Sequence, residues 1–274
     1  MTWRNIQRNL TAGSIIALVG NTKTSSVDKL YAIVNAGAGS PAQFYRLTGA
    51  QQSPASIWDS TGMANLPDNA GSITVAGSAY VADNNCIYVV NSKLGKIYVW
   101  NDTANTWSTI NQSWNGYSGV SARLRQIIYD RNKLYVAHLS GVTTLNPLVS
   151  GSAWTLGAEF TSPQLGAGQC TGLLATSDAV YVTVENYKAV YRNNNTLAWD
   201  KVAVLPEYGF SPQFMAPINY ARSTANAFLV TGDDINTNLY VSNDVESVTT
   251  LEPTFRNGIH LSAPATSILT SRVD

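Results

Sequence analysis

Residues 86–110 read CIYVVNSKLGKIYVWNDTANTWSTI, and three short strands follow one another in them: CIYVV, KIYVWND and a segment opened by Trp107. Runs of five or six β-branched and aromatic residues are strand signals. The first of these strands returns in both directions along the chain. It appears as KLYAIV around Leu30, KLYVAH around Leu134, AVYVTV around Val180 and AFLVTG around Phe228. The aligned positions Tyr31, Tyr88, Tyr135, Tyr181 and Leu229 are 57, 47, 46 and 48 residues apart. The Trp segment keeps the same period, at Trp3, Trp58, Trp107, Trp154 and Trp199, with spacings of 55, 49, 47 and 45. A version without Trp, VTTLEP, starts at Val248. Five of the seven tryptophans therefore fall at one repeat position, which chance does not explain.

Two further strand types complete the unit. An apolar run precedes each Leu-Tyr strand: SIIALVG, ITVAGSAYVA, ARLRQIIY, TGLLATS and INYARS. Several of these runs end in a turn bearing Asp83, Asp130 or Asp178, a residue type that caps local backbone. A shorter strand follows each Leu-Tyr strand: FYRLTG, KIYVWND, VTTLNP, AVYRNN and NLYVSND. Four strands in about 47 residues is the blade of a β-propeller. An immunoglobulin-like sandwich has too few strands and no fixed repeat. No convincing helix-period face supports a helical solenoid.

The chain thus resembles β-propeller repeat proteins over nearly its whole length. Its layout is similar to five-bladed tachylectin-like propellers and to propeller domains of phage tail proteins. The Gly-Gly-Trp and Pro-Pro signatures of those lectins are missing, as are a WD series and the kelch double glycine, so the resemblance implies architecture alone. The expected fold is all-β: a single propeller of four-stranded antiparallel blades over 1–274, five in number, with six including an incomplete blade as the alternative. The repeats run 12–60, 61–110, 111–157, 158–204 and 205–252. Terminal closing strands occupy 1–11 and 253–274, because joining a terminal strand to the last blade removes free edges. A surplus inner-type run at Ser267–Val273 has no place in the simple count.

Composition narrows the function. Only 12% of the 274 residues are charged, 45% are hydrophobic and 10% aromatic. That is an ordered protein with a polar but uncharged surface, since disorder goes with high charge and few aromatics. There are 17 basic and 17 acidic residues, and the densest basic cluster in the middle of the chain is Arg123 with Arg125. No basic stripe is present to displace counterions, so nucleic acid is not an expected partner. No run approaches the roughly 18 apolar residues of a membrane span, and MTWRNIQRNLTAGSIIALVG lacks a signal peptide's continuous apolar stretch. Neither secretion nor membrane insertion is expected. The N-x-Ser/Thr triplets at Asn9, Asn101, Asn111 and Asn194 then read as chance. Cys86 and Cys170 make neither a metal pattern nor a disulfide framework and read as buried thiols.

A search for chemistry finds little. The only histidines are His138 and His260. No G-x-S-x-G elbow, paired metal-spaced His, G-x-G-x-x-G or G-x-x-x-x-G-K is present. His138 reads as structural. No catalytic residue and no cofactor is expected, and the chain reads as a non-enzyme. The run Asp233-Asp234-Ile235-Asn236-Thr237-Asn238 has the oxygen spacing of a calcium loop but lacks its glycine and distal glutamate. It reads as an Asx-rich turn, and no metal site is expected.

The informative positions are the connections from an outer strand to the next inner strand, which share one face of a propeller. They carry Pro67 and Asp68, Trp114 and Tyr117, Phe160, Tyr208 and Phe210, and Phe255. Loop aromatics are either contact residues or spacers between blades. Trp114, Tyr117, Tyr208 and Phe210 are the candidate binding residues. The connections TGMANLPDNAGS, QSWNGYSG, TSPQLGAG and PEYGFSPQF differ in length and content. That divergence favours one asymmetric partner surface over repeated sugar pockets. The first expectation is a structural or host-contacting part of a virus particle, a bacteriophage tail or capsid-surface propeller made in the host cytoplasm and located in the virion. Its partners would be other particle proteins or a host-surface receptor or glycan, with homo-oligomerisation inside the assembly compatible. The alternative is a soluble carbohydrate-binding lectin of the propeller type, cytoplasmic or non-classically released.

Overall fold

The first strand of each repeat packs beside the first strand of the next, and three further strands extend outward from it. The computed structural model describes residues 14–21, 29–37, 39–48, 57–148, 153–161, 169–176, 179–185, 189–193 and 198–204, and the backbone strands 211–217, 227–232, 237–242, 251–252 and 259–261. Sheet one holds β1 (Ser14–Asn21), β2 (Lys29–Asn35), β3 (Gln43–Thr48) and β4 (Ile57–Asp59) in that order. Sheet two holds β5 (Val75–Val81), β6 (Cys86–Asn91), β7 (Lys96–Asn101) and β8 (Thr106–Ile110). Sheet three holds β9 (Ile127–Asp130), β10 (Lys133–His138), β11 (Gly141–Pro147) and β12 (Trp154–Thr161). Sheet four holds β13 (Cys170–Ala175), β14 (Val180–Val184), β15 (Ala189–Asn193) and β16 (Asp200–Val204). The fifth holds β17 (Ser211–Pro217), β18 (Ala227–Gly232), β19 (Thr237–Ser242) and β20 (Leu251–Glu252), and β21 (Ile259–Leu261) also pairs with β19. All pairings among the described strands are antiparallel, and apart from β19 with β21 they join consecutive strands, as the repeat predicts.

The Leu-Tyr strands are apolar at most positions because both of their faces are buried. Successive side chains on a strand point to opposite faces. On β6, Cys86, Tyr88 and Val90 enter the core between sheets two and three, while Ile87 and Val89 enter the core between sheets one and two. On β10, Leu134 and Val136 face sheet two, while Tyr135 and Ala137 face sheet four. On β2, Tyr31 and Ile33 face sheet two; Ala32 and Val34 are buried on the far side with Tyr45 and Trp58. On these three strands the first member of the Leu-Tyr pair lies on the backward face and the Tyr looks forward to the next sheet. The outer-strand tryptophans obey one rule as well. Trp58, Trp107, Trp154 and Trp199 stand within one residue of the start of the fourth strand, on the backward-facing side. Both faces of sheet one carry buried residues.

Between sheets one and two the contact is aromatic. Tyr31 stacks on Phe44 with centroids 5.1 Å apart, and Phe44 meets Trp107 edge-on at 4.8 Å. Trp107 donates its indole N–H to the Ala64 carbonyl at 3.0 Å, which ties the rim to the connection before β5. The Tyr31 hydroxyl donates to Asp102 across the same gap at 2.6 Å. Cys86 and Cys170 are buried free thiols, and burial pushes the Cys86 thiol up to about 11.

A two-for-one bulge lies in or just before every first strand. The extra residue is Ile16 in β1, Ala76 in β5 and Gln213 in β17. Before β9, Arg125 and Gln126 both oppose Ala137. In β13, Thr171 and Gly172 both oppose Thr183, whose hydroxyl accepts the Gly172 N–H at 2.7 Å. Bulges add local twist and re-aim a strand, and here they recur where the first strands run side by side. The Gln126 amide bridges sheets three and four by accepting from the Leu173 N–H at 2.8 Å and donating to its carbonyl at 3.2 Å.

Two strand assignments differ from the sequence reading. The fifth first strand is Ser211–Pro217, one run before INYARS, which begins at Ile218 outside the described residues. Pro212 lies beside the bulge and Pro217 at the strand's last residue, where a missing N–H costs least. Phe160 lies within β12, buried and edge-on to Trp199 at 5.5 Å, not in a connection. Thr2–Ile6, Ser267–Val273 and the closing-strand segment 1–11 lie outside the described residues. His260 pairs with Asn238 in β21. The described residues contain no helix long and apolar enough to cross a membrane.

Candidate functional site

Connections from a fourth strand to the next first strand share a face with the turns between second and third strands. The first connection is held there by the backbone pairs Ala42 N–H to Asp68 and Ala70 N–H to Ser40. Buried Asn91, at the end of β6, fixes it from beneath. Its Oδ1 accepts the N–H groups of Thr74 and Lys93, and its Nδ2 donates to the Ser72 carbonyl at 3.0 Å and the Tyr98 hydroxyl at 2.9 Å. That exhausts an amide's capacity. The Tyr98 hydroxyl donates to Asp68 at 2.7 Å, and Lys96 reaches the same carboxylate at 3.3 Å. Burial, then the Asp68 carboxylate, holds the Tyr98 phenol well above its ordinary range.

The second connection, 111–126, is built on a tight turn. Trp114 and Tyr117 exchange both backbone hydrogen bonds, with Asn115 at φ 49° and Gly116 at φ 87°. Two positive φ values in succession are the demand of a type I′ turn, which Asn-Gly meets best. Trp114 points inward and is 0% exposed, packed among the side chains between sheets two and three, with its ring 6.2 Å from that of His138. Tyr117 points outward and is 42% exposed. Asn115 anchors the turn through its N–H to Glu159 at 3.2 Å and its Nδ2 to the Ser140 hydroxyl at 3.3 Å.

Beneath this turn His138 is fully buried. Its Nδ1 accepts from the Ser140 N–H at 3.4 Å, which leaves the ring proton on Nε2 to donate to the Thr143 hydroxyl at 2.9 Å. Burial lowers the ring's pKa to about 4, so the imidazole is neutral at physiological pH. Its partners are structural hydroxyls, and no nucleophile–base pair follows from them. Past the turn, the 3₁₀ segment Gly119–Ala122 presents Val120 at 67% exposure, and Arg123 follows in left-handed backbone at φ 46°. Ala122 and Leu124 anchor the segment in the core. A Cβ at Gly95 would run into the Gly119 carbonyl oxygen, so this turn of sheet two touches the connection backbone to backbone.

Of the four candidate binding residues, then, Trp114 lies in the core and Tyr117 on the surface, while Tyr208 and Phe210 fall outside the described residues. Of the other connection aromatics, Phe255 falls outside them too. The Asx-rich stretch is described only at Thr237 and Asn238, which open β19. Sequence reasoning passed over Val120 as a contact residue and saw Arg123 only as part of a charge cluster. A single 3₁₀ turn leaves no periodic mark in so short a run.

No family model and no curated protein sequence matches the chain. Solved structures match in fold. The virginiamycin B lyase of Staphylococcus aureus, solved with quinupristin, is 13% identical at a TM-score of 0.55, over 86% of this chain and 70% of that one. The Cps50 (Swd1) β-propeller domain of Myceliophteria thermophila is 8% identical at 0.54, over 87% and 68%. YCF48 bound to D1 peptide is 13% identical at 0.53, over 81% and 62%. The extracellular domain of BT4673 from B. thetaiotaomicron is 13% identical at 0.51, over 87% of this chain. The chain spans 28% of the length of that last structure. At these identities the likeness establishes the fold, a β-propeller, and no more. It also corrects the reading of the chain as a non-enzyme: a catalytic propeller, the lyase, shares this architecture, so neither the fold nor the lack of a familiar motif excludes catalysis.

Proposed function

We propose that this β-propeller is a binding and structural component of a virus particle, a bacteriophage tail or capsid-surface part, and that it contacts its partner through the face carrying the unequal connections. One observation carries the choice of face. Tyr117 stands exposed on a turn that Trp114, Asn115 and the Gly95–Gly119 contact hold rigid. A rigid aromatic on a fixed loop binds with little entropic loss. Support for the setting comes from composition: few charges, many Asn, Ser, Thr and Gly, and a fold with few free edges suit a packed assembly. YCF48, of similar fold, was solved with a peptide bound, which is a precedent for propeller faces as protein-binding surfaces. On this reading Tyr208 and Phe210 extend the same contact area, and Trp114 supports it from below.

The test is co-sedimentation. Particles from a host expressing the tagged full chain are banded on a density gradient and the fractions probed for the tag. The chain should travel with the particles, and Tyr117→Ala should reduce its share. A chain that stays at the top of the gradient with every particle type tried would end the proposal.

A further inference from the structure

Going beyond the choice of face, and resting on it, we infer that the loop 114–124 docks a protein segment in which a carboxylate side chain lies beside an apolar one. The inference rests on how the loop alternates. Trp114, Ala122 and Leu124 are buried, whereas Tyr117, Val120 and Arg123 point to solvent. Val120 and Arg123 are three residues apart on a 3₁₀ turn, closed by the Arg123 N–H to the Val120 carbonyl at 3.2 Å. An exposed apolar and an exposed cationic side chain thus lie three residues apart on one short anchored segment.

Three further observations favour a ligand there. The Arg123 guanidinium has no hydrogen-bond or ion-pair partner among the described residues. Its backbone is left-handed at φ 46°, a conformation disfavoured for a long side chain and tolerated where the surroundings impose it. The neighbouring turn adds a second exposed cation, Lys93, whose ammonium meets only the Gly71 carbonyl among the described residues, at 2.6 Å. Glu159, the acid that touches this loop, is engaged by the Asn115 N–H.

The chemistry selects the partner. Two cations on a neutral protein do not make the basic stripe that nucleic acid needs. The exposed Val120 offers nothing to a sugar's hydroxyls. Tyr and Arg around an aliphatic side chain are the composition of a protein contact. A carboxylate would take the Arg123 fork in paired hydrogen bonds, and an apolar neighbour would cover Val120 and Tyr117.

The experiment pans a displayed library of short random peptides against the immobilised full chain. Selected peptides should be enriched in Asp or Glu next to a large apolar residue. Their binding should fall about tenfold or more with Arg123→Glu, and comparably with Tyr117→Ala. Lys201→Glu, the same charge change on an exposed residue of β16, should leave it intact. Thermal melts confirm that each variant is folded. Peptides without acids, binding indifferent to Arg123→Glu, or no enrichment at all would each overturn the inference. Because no particle enters this assay, its failure leaves the co-sedimentation result standing, and the reverse also holds.

Discussion

Trp114 and Tyr117 sit three residues apart on one turn and answer to different forces. Trp114 fills the gap between two sheets, so truncating it leaves a cavity. Trp114→Ala is expected to cost about 3–5 kcal/mol of stability, read as a lower denaturant midpoint. Tyr117→Ala empties nothing and is expected to change stability by less than about 0.5 kcal/mol while reducing partner binding. If both variants melted alike, the division into spacer and contact would fall. His138 gives a second test at this scale. Its folded pKa, about 4, lies below the ordinary value of 6.5, so the unfolded chain binds more protons between those pH values. Stability from the neutral ring is complete above pH 6.5 and is lost as pH falls toward 4, by roughly 3 kcal/mol at the limit. Denaturation midpoints from pH 7.5 down to 4.5 should show that decline. His138→Gln should flatten it, whatever its effect at neutral pH.

At the scale of the element, the Leu-Tyr strands were legible because burial on both faces makes most of their positions apolar, and Tyr31, Tyr88 and Tyr135 keep their direction from sheet to sheet. The inner-strand bulges were not legible. Ile16, Ala76 and Gln213 share no residue type, since a bulge is a relation between two strands and only one of them is read at a time. The fifth first strand was missed because Pro212 and Pro217 bound it, and proline ordinarily argues against a strand. The inward turn of Trp114 was hidden for a similar reason: a connection's side chains are aimed by packing, not by period. One contact between elements invites a direct test. Gly95 has φ +62° and abuts Gly119, so Gly95→Ala strains the turn and pushes on the connection together. It should destabilise by about 1–3 kcal/mol and weaken binding at Tyr117 without touching that residue. Binding that survived the change would show that the loop is not positioned through this contact.

Across the whole molecule, cores lie between sheets, and that arrangement predicts which mutations interact. Val90 and Leu134 come from different sheets but line one gap, whereas Ile33 lines another. Val90→Ala with Leu134→Ala should depart from additivity by about 0.5 kcal/mol or more, while Ile33→Ala with Leu134→Ala should add. Equal coupling in both pairs would contradict the layered packing. For the Asx-rich stretch 233–238, chelation with EDTA is expected to leave the melting temperature unchanged, because an ion bound to the native state would otherwise raise it by mass action. A clear drop would reveal a site. The outermost strands carry a last consequence. Each offers unpaired amide and carbonyl groups to any other chain, a template for aggregation. Strands β4 and β20 have three and two residues, too few to recruit a stranger. The eight-residue β12 is interrupted where Gly157 and Ala158 both oppose Thr144, and β16 where Val202 is the extra residue. A side chain at Gly157 would collide with Thr144, so the irregularity depends on that glycine. The longest of these strands, where the hazard is greatest, is thus broken, while the five-residue β8 keeps an unbroken register and is the rim at which recruitment of another chain should be sought.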